Sequence, residues 1–242
     1  MMNLLIIQAH MGSTRLPGKV MKKICDKEVL LHVYERCNKC KLIDKIIIAT
    51  STDKDNDEIE KFCCINNIEC FRGNENDVLD RYYQCAKLYN PNFIVRVTSD
   101  CPLLEPRLID YWLENAINDN VDFVEEEKEI FTGFGVDIFS FNSLIKMKKK
   151  ATTNKQKEHV VGYYYDNKNQ FINKKYPLKD NLKYLYRDYR LTLDTKEDFE
   201  LISLLYKKFY HNDFLDLQEV MCYLDKNNQI LEINNMINQK LY

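Results

Sequence analysis

Four short, largely apolar runs, at residues 3–8, 45–50, 68–72 and 93–98, alternate with four amphipathic stretches, at residues 29–40, 55–66, 77–89 and 106–118. Short apolar runs suit strands covered on both faces, and the intervening stretches carry apolar residues at helical spacing. Strand then helix, four times over, points to the α/β class: a mostly parallel, mixed sheet with helices on both faces. In such sheets ligands sit beyond the carboxyl ends of the strands, so the loops that follow the strands are the places to look for function.

The second half is more mixed. Strands are expected at residues 136–141, 171–176 and 189–193, helices at 157–165 and 196–210, and a helical tail rich in Asn and Lys at 216–242. Asn76 is a candidate N-cap for the helix at 77–89. Residues 125–135 lack strong periodicity and read as a mobile loop. No repeat or linker divides the chain, so residues 1–242 are expected to form a single domain with 211–242 as a helical C-terminal tail.

Composition removes several function classes. A formal net charge of -2 gives no basic excess for nucleic-acid binding. No segment approaches the roughly 20 apolar residues that span a bilayer, and the run at 4–7 is too short for a secretory signal. The expected compartment is therefore the cytoplasm, where the nine cysteines stay thiols. Cys37 and Cys40 form a CxxC with no second pair at zinc-ribbon spacing, so they read as half-buried helix positions, as do Cys63 and Cys64. Four histidines leave little room for a multi-His metal site.

The most informative loop runs from Gln8 to Lys19, directly after the first strand. Gly12 lets the backbone approach an anion closely, and the N–H groups around Gly12 and Ser13 are candidates for an anion nest. Arg15 offers a planar fork for phosphate oxygens and Lys19 a point charge. Two glycines, two cations and a proline suit a triphosphate, although the spacing is neither a Walker A motif nor a dinucleotide fingerprint. The competing reading is an ordinary polar connection.

Two carboxylates stand at other strand ends. Asp100 follows the strand at 93–98, with Pro102 fixing the turn. Asp194 follows the strand expected at 189–193. Mg²⁺ takes oxygen ligands and often uses only one or two protein carboxylates beside phosphates, so each is a candidate ligand. Asp194 is also a plausible N-cap, with Glu197 three residues on completing a box-like cap.

The segments GSTRLPGK (12–19), GNENDVLDRYYQCAK (73–87), VRVTSDCPLLEP (95–106), FSF (139–141), KEHV (157–160) and LTLDTKEDFELI (191–202) occur in the order seen in the acylneuraminate/KDO cytidylyltransferase superfamily. The chain resembles that family, its spore-coat-polysaccharide branch most of all, over nearly its whole length to about Tyr210. The resemblance implies a Rossmann-like nucleotidyltransferase fold, CTP as donor and Mg²⁺ as cofactor. It places Ala9, His10, Gly12, Ser13, Arg15, Lys19 and Arg81 around the nucleotide, with Arg15 and Lys19 catalytic, and Asp100 and Asp194 on the metal. It puts Asp137, Glu158 and His159 on the acceptor side and makes residues 130–180 an acceptor or dimerisation region. Arg81 could equally be a surface arginine, and Glu158 and His159 an ordinary helix start.

Two positions depart from the family pattern. His10 stands where the family usually has arginine, which removes a permanent charge from the triphosphate side. Gly135 stands where an acidic residue is usual, with Asp137 nearby.

The reaction so implied is attack of an acceptor oxygen on the α-phosphorus of CTP, with pyrophosphate leaving and Mg²⁺, Arg15 and Lys19 stabilising charge. The acceptor would be an acidic sugar, a sugar phosphate or a similar small molecule, in surface-polysaccharide or glycoconjugate precursor synthesis. A homodimer is expected, helped by the aromatic run at 163–165. Three other readings share these features: a UTP- or GTP-using enzyme of the same fold, a glycosyltransferase, and a non-catalytic nucleotide-binding module. A glycosyltransferase would usually carry a strand-end DxD, and Thr98-Ser99-Asp100 lacks the first Asp.

Overall fold

The computed structural model describes residues 2–125, 130–211 and 214–238. Its centre is a seven-stranded sheet in the order β5-β4-β1-β6-β8-β7-β9. The strands are β1 (Asn3–Gln8), β4 (Lys45–Ser51), β5 (Cys70–Gly73), β6 (Phe93–Thr98), β7 (Phe123–Glu125), β8 (Val136–Ser140) and β9 (Asn173–Lys175). β1 pairs in parallel with both β4 and β6, Ile6 lying opposite Ile47 on one side and Arg96 on the other. Within this sheet only β8 runs against its neighbours, antiparallel to β6 and β7. A separate two-stranded hairpin, β2 (Lys23–Ile24) and β3 (Lys27–Glu28), follows the first loop.

Alternation along the central strands divides the core between two faces. Leu5, Ile7, Ile48, Val95 and Val97 face α1 (Val29–Cys37), α2 (Asp57–Ile65), α4 (Pro106–Asp119), α8 (Lys196–Phe209) and α9 (Leu217–Lys226). Leu4, Ile6, Ile47, Ala49 and Ile94 face α3 (Val78–Lys87), α5 (Phe141–Lys150) and α7 (Gly162–Asp166). The expected architecture, a mostly parallel mixed sheet covered on both faces, is the one observed.

Several local expectations are corrected. Residues 189–193 are extended but form no strand, making a single bridge from Arg190 to Thr132. The helix expected at 157–165 is two short helices, α6 (Asn154–Glu158) and α7, broken where His159 turns to extended backbone. A side chain on Gly162 would meet the Gln156 backbone at 3.1 Å, so the break brings two backbones together. The cap of α3 is Asp77 rather than Asn76, because the Asp77 carboxylate accepts from the Asp80 amide at 2.7 Å. The cap of α8 is Thr195 with Asp198, which displaces both Asp194 and Glu197 from that role. Of the loop expected at 125–135, residues 126–129 lie outside the described set. Among the described residues of the tail, only α9 and a 3₁₀ segment, Asn228–Ile233, are helical.

Candidate active site

β1 and β6 are neighbours, yet the chain leaves β1 toward β4 and returns to β6 from β5, so a crevice opens where their carboxyl ends diverge. The loop after β1 is tied down by the Met11 carbonyl, which accepts from the Ser13 and Gly18 amides at 2.9 and 3.2 Å. Asn56 holds the Met11 amide at 2.8 Å. Gly18 takes a left-handed conformation, φ 63°, and turns the chain inward so that Lys19 is 5% exposed.

Lys19 is the junction of the site. Its Nζ donates to Asp100 Oδ2 at 2.8 Å and to Asp194 Oδ1 at 2.9 Å. Asp194 reaches it because residues 191–194 run beside the turn after β6. The Leu193 amide and the Thr192 hydroxyl both donate to the Asp100 carbonyl, at 2.9 and 3.3 Å. Arg15 and Arg190 contact the other Asp194 oxygen, each at 3.0 Å. Arg190 also makes a two-pronged pair with the fully buried Asp198, whose carboxylate accepts the Asp194 and Thr195 amides. Asp198 and Arg190, which the motif reading does not single out, thus hold Asp194 in place. Their spacing of eight residues across a helix start is the signal that could have found them.

Burial alone would lower the Lys19 pKa, but the charges of Asp100 and Asp194 outweigh it and the ammonium is held above its ordinary range. Burial raises Asp100, yet Lys19 outweighs that and its carboxyl lies below the usual range. His10 lies below the ordinary imidazole value because it is buried and faces the Lys19 charge.

A cleft of about 1400 Å³ extends from this cluster across the sheet face toward α6 and α7. Single-ligand pockets run to roughly 1,000 Å³, so it has room for two substrates side by side. His10, Lys19, Asp100, Asp194, Asp137, Glu158 and His159 all line it. Arg81 also borders the cleft but is only 2% exposed, and it donates to the Asn74 and Glu75 carbonyls at 2.7–3.0 Å. It is not a surface arginine; it braces the loop before α3.

The Ala9 amide is bonded to the Ala49 carbonyl at 3.1 Å, and the Ser13 amide to the Met11 carbonyl at 2.9 Å. Gly12 is exposed and, like Ser13 and Arg15, does not line the cleft. The reading overlooks Arg96, which projects from the middle of β6 and pairs with Asp137 at 2.6 Å across the register. A lone arginine in the run Phe-Ile-Val-Arg-Val-Thr is its only trace in the sequence.

Sequence and structure comparisons identify the family. A family model described as cytidylyltransferase matches residues 4–234. The chain belongs to the cytidylyltransferase family. This cytidylyltransferase is 41% identical over 240 residues to an uncharacterized protein of Methanocaldococcus jannaschii, covering 98% of the chain and 96% of that protein. It is 31% identical over 233 residues to the spore coat polysaccharide biosynthesis protein SpsF of Bacillus subtilis, covering 93% of the chain and 94% of the relative. A solved cytidylyltransferase from Leptospira borgpetersenii superposes with a TM-score of 0.86 at 29% identity, covering 100% of this chain and 99% of that one. The enzyme is thus a nucleotidyltransferase, as the ordered motifs imply. No helix among the described residues of the cytidylyltransferase is long and apolar enough to cross a membrane.

Proposed function

We propose that the enzyme transfers CMP from CTP to a small acidic or sugar-like acceptor, releasing pyrophosphate, in surface-polysaccharide or glycoconjugate precursor synthesis. The observation that carries this reading is the meeting of Asp100 and Asp194 on Lys19 in a cleft with room for a second substrate. Arg15 beside them and Lys19 among them are the groups that would bind the triphosphate and stabilise charge as pyrophosphate leaves. An acceptor oxygen forms the new bond to the α-phosphorus while the bond to the pyrophosphate oxygen breaks.

Mg²⁺ fits the donor set. Two carboxylates already converge on a single cationic nitrogen, both through hard oxygen atoms. Among the described residues no group of three or more His, Cys, Asp or Glu could hold a metal, so a bound Mg²⁺ would complete its shell with phosphate and water. When bound, it would supply charge neutralisation at the phosphates. Arg96, Asp137, Glu158 and His159, which line the cleft, are the acceptor-side groups in this reading.

A homodimer and a cytoplasmic location belong to the same proposal. Tyr163 and Tyr164 pack inward, Tyr164 stacking on Phe123 at 3.7 Å, so neither supports a partner surface. Exposed Ile145, Tyr165 and Ile172 are the large apolar residues of the 130–180 region at its surface. Pyrophosphate release, measured with each nucleoside triphosphate against acidic sugars, sugar phosphates and phosphonates, tests the function. Release with CTP and one acceptor supports it; release only with another nucleotide, or with none, overturns it.

A further inference from the structure

We propose that Lys19 is a built-in counter-ion that keeps divalent metal from the Asp100–Asp194 pair until a nucleoside triphosphate enters the cleft. The inference rests on the reading that these two carboxylates hold the metal.

All four carboxylate oxygens already accept from the protein. Lys19 is on Asp100 Oδ2 and Asp194 Oδ1, Arg15 and Arg190 are on Asp194 Oδ2, and the Cys101 thiol is 3.5 Å from Asp100 Oδ1. A divalent ion placed between the two carboxylates would meet the Lys19 ammonium that already bridges them.

The charges also balance. Asp100, Asp194 and Asp198 face Lys19, Arg15 and Arg190, three carboxylates against three cations. A lone divalent ion would leave two uncompensated positive charges in a partly desolvated site, which is unfavourable. A triphosphate reverses this. It gives the Lys19 head, on a flexible four-carbon stem at the cleft wall, an anionic partner to turn to. The carboxylates are then released for the metal as the polyanion arrives. Metal and nucleotide therefore bind with positive coupling, and by linkage each raises the affinity of the other by the same factor.

Mn²⁺ titration followed by the electron paramagnetic resonance of the free ion tests this with no acceptor present. Wild type, Lys19→Met, Lys19→Gln and Lys19→Arg are compared, each with and without CTP. Without nucleotide, the Met and Gln variants are expected to bind Mn²⁺ on the order of 10-fold tighter than wild type, within the roughly 5–150-fold range of couplings between sites. Lys19→Arg, which keeps the charge, is expected to behave like wild type. Adding Asp100→Asn to Lys19→Gln should abolish the gain and so locate the ion. Gln can still donate to one carboxylate, which keeps the test open if the Met variant does not fold. Equal Mn²⁺ affinity in wild type and both neutral variants overturns the proposal. Tight binding by wild type alone, without CTP, overturns it while leaving the metal assignment standing. Absence of Mn²⁺ binding in every sample, CTP included, removes both. Failure of the transferase reading would instead appear in the pyrophosphate assay, which this titration does not use.

Discussion

Gly135→Ala is expected to be among the most damaging small substitutions in the chain. Gly135 has φ +58°, and a Cβ there would lie 2.4 Å from Cys101 Sγ and 2.5 Å from Thr98 Oγ1. Its carbonyl accepts the Thr98 amide at 3.2 Å, so the backbone cannot swing away without losing a bond to β6. Left-handed backbone costs a residue with a Cβ about 1–2 kcal/mol. Forcing a methyl group into a filled site adds about 1–3 kcal/mol. The sum, about 2–5 kcal/mol, corresponds to a melting temperature lower by about 4–20 °C in a domain of this size. Urea unfolding followed by circular dichroism measures it, with the slope expected to stay the same. Because Thr98 and Cys101 flank Asp100, turnover should fall as well. Adding Cys101→Ala should restore only part of the stability, since the Thr98 contact remains. Gly12→Ala is the control: no strained φ is involved and the nearest atom, His10 Nδ1, is 3.5 Å away, so stability should change by less than about 0.5 kcal/mol. A Gly135→Ala protein as stable and active as wild type would refute the reasoning.

Asp100→Asn and Asp194→Asn should each reduce pyrophosphate release by about a hundredfold or more, since a bound metal contributes several kcal/mol to such reactions. Near-normal turnover in both would remove the metal assignment. His10 is held below its ordinary value of about 6.5, so it is neutral in the free enzyme at neutral pH. A triphosphate beside it would raise its pKa, so CTP binding should take up a proton and strengthen as pH falls through the bound-state value. Calorimetry should find that His10→Arg binds CTP more tightly with a flatter pH profile; identical profiles would move His10 to the acceptor side. For the free protein, the stability contributed by neutral His10 is complete above about pH 6.5 and is lost as pH falls through the depressed value, which thermal melts from pH 7.5 down to 5 would follow. Light scattering at micromolar concentration should give twice the chain mass, and a monomer mass would count against the dimer.

The first half of the fold is plain in the sequence because each strand is a buried run bounded by a helix. The expected strands at 3–8 and 93–98 coincide with β1 and β6, and the helix at 106–118 with α4 to within a residue. The second half is less legible, since extended backbone and paired strand look alike until a partner is known. Residues 189–193 alternate as a strand should, yet only Arg190 finds a bridge. α5 carries Phe141, Leu144 and Met147 at helical spacing behind a Ser140 cap, a signal that the run of lysines after it obscures. β7 has three residues and no periodicity to detect. In the site, residue types pointed to Lys19, Asp100 and Asp194, but no spacing announces that the three touch. Arg81 lines the cleft, as expected of a residue near the substrates, but its burial against the carbonyls of the preceding loop has no signature in the sequence, because a helix arginine is usually solvated.

The contact between Lys19 and Asp194 joins residues 175 positions apart. Asp198, which holds Asp194, is itself bound by Asn234 near the far end of the described chain. During synthesis at about 5–20 residues per second, Asp100 therefore emerges roughly 5–20 seconds, and the donor loop roughly 9–35 seconds, before Asp194 exists to meet them. The parallel core can settle in that interval, but the centre that would hold triphosphate and metal is incomplete until the last third of the chain docks. A half-made enzyme thus has the fold's beginnings without its chemistry, and maturation of the site reports that the whole chain has closed.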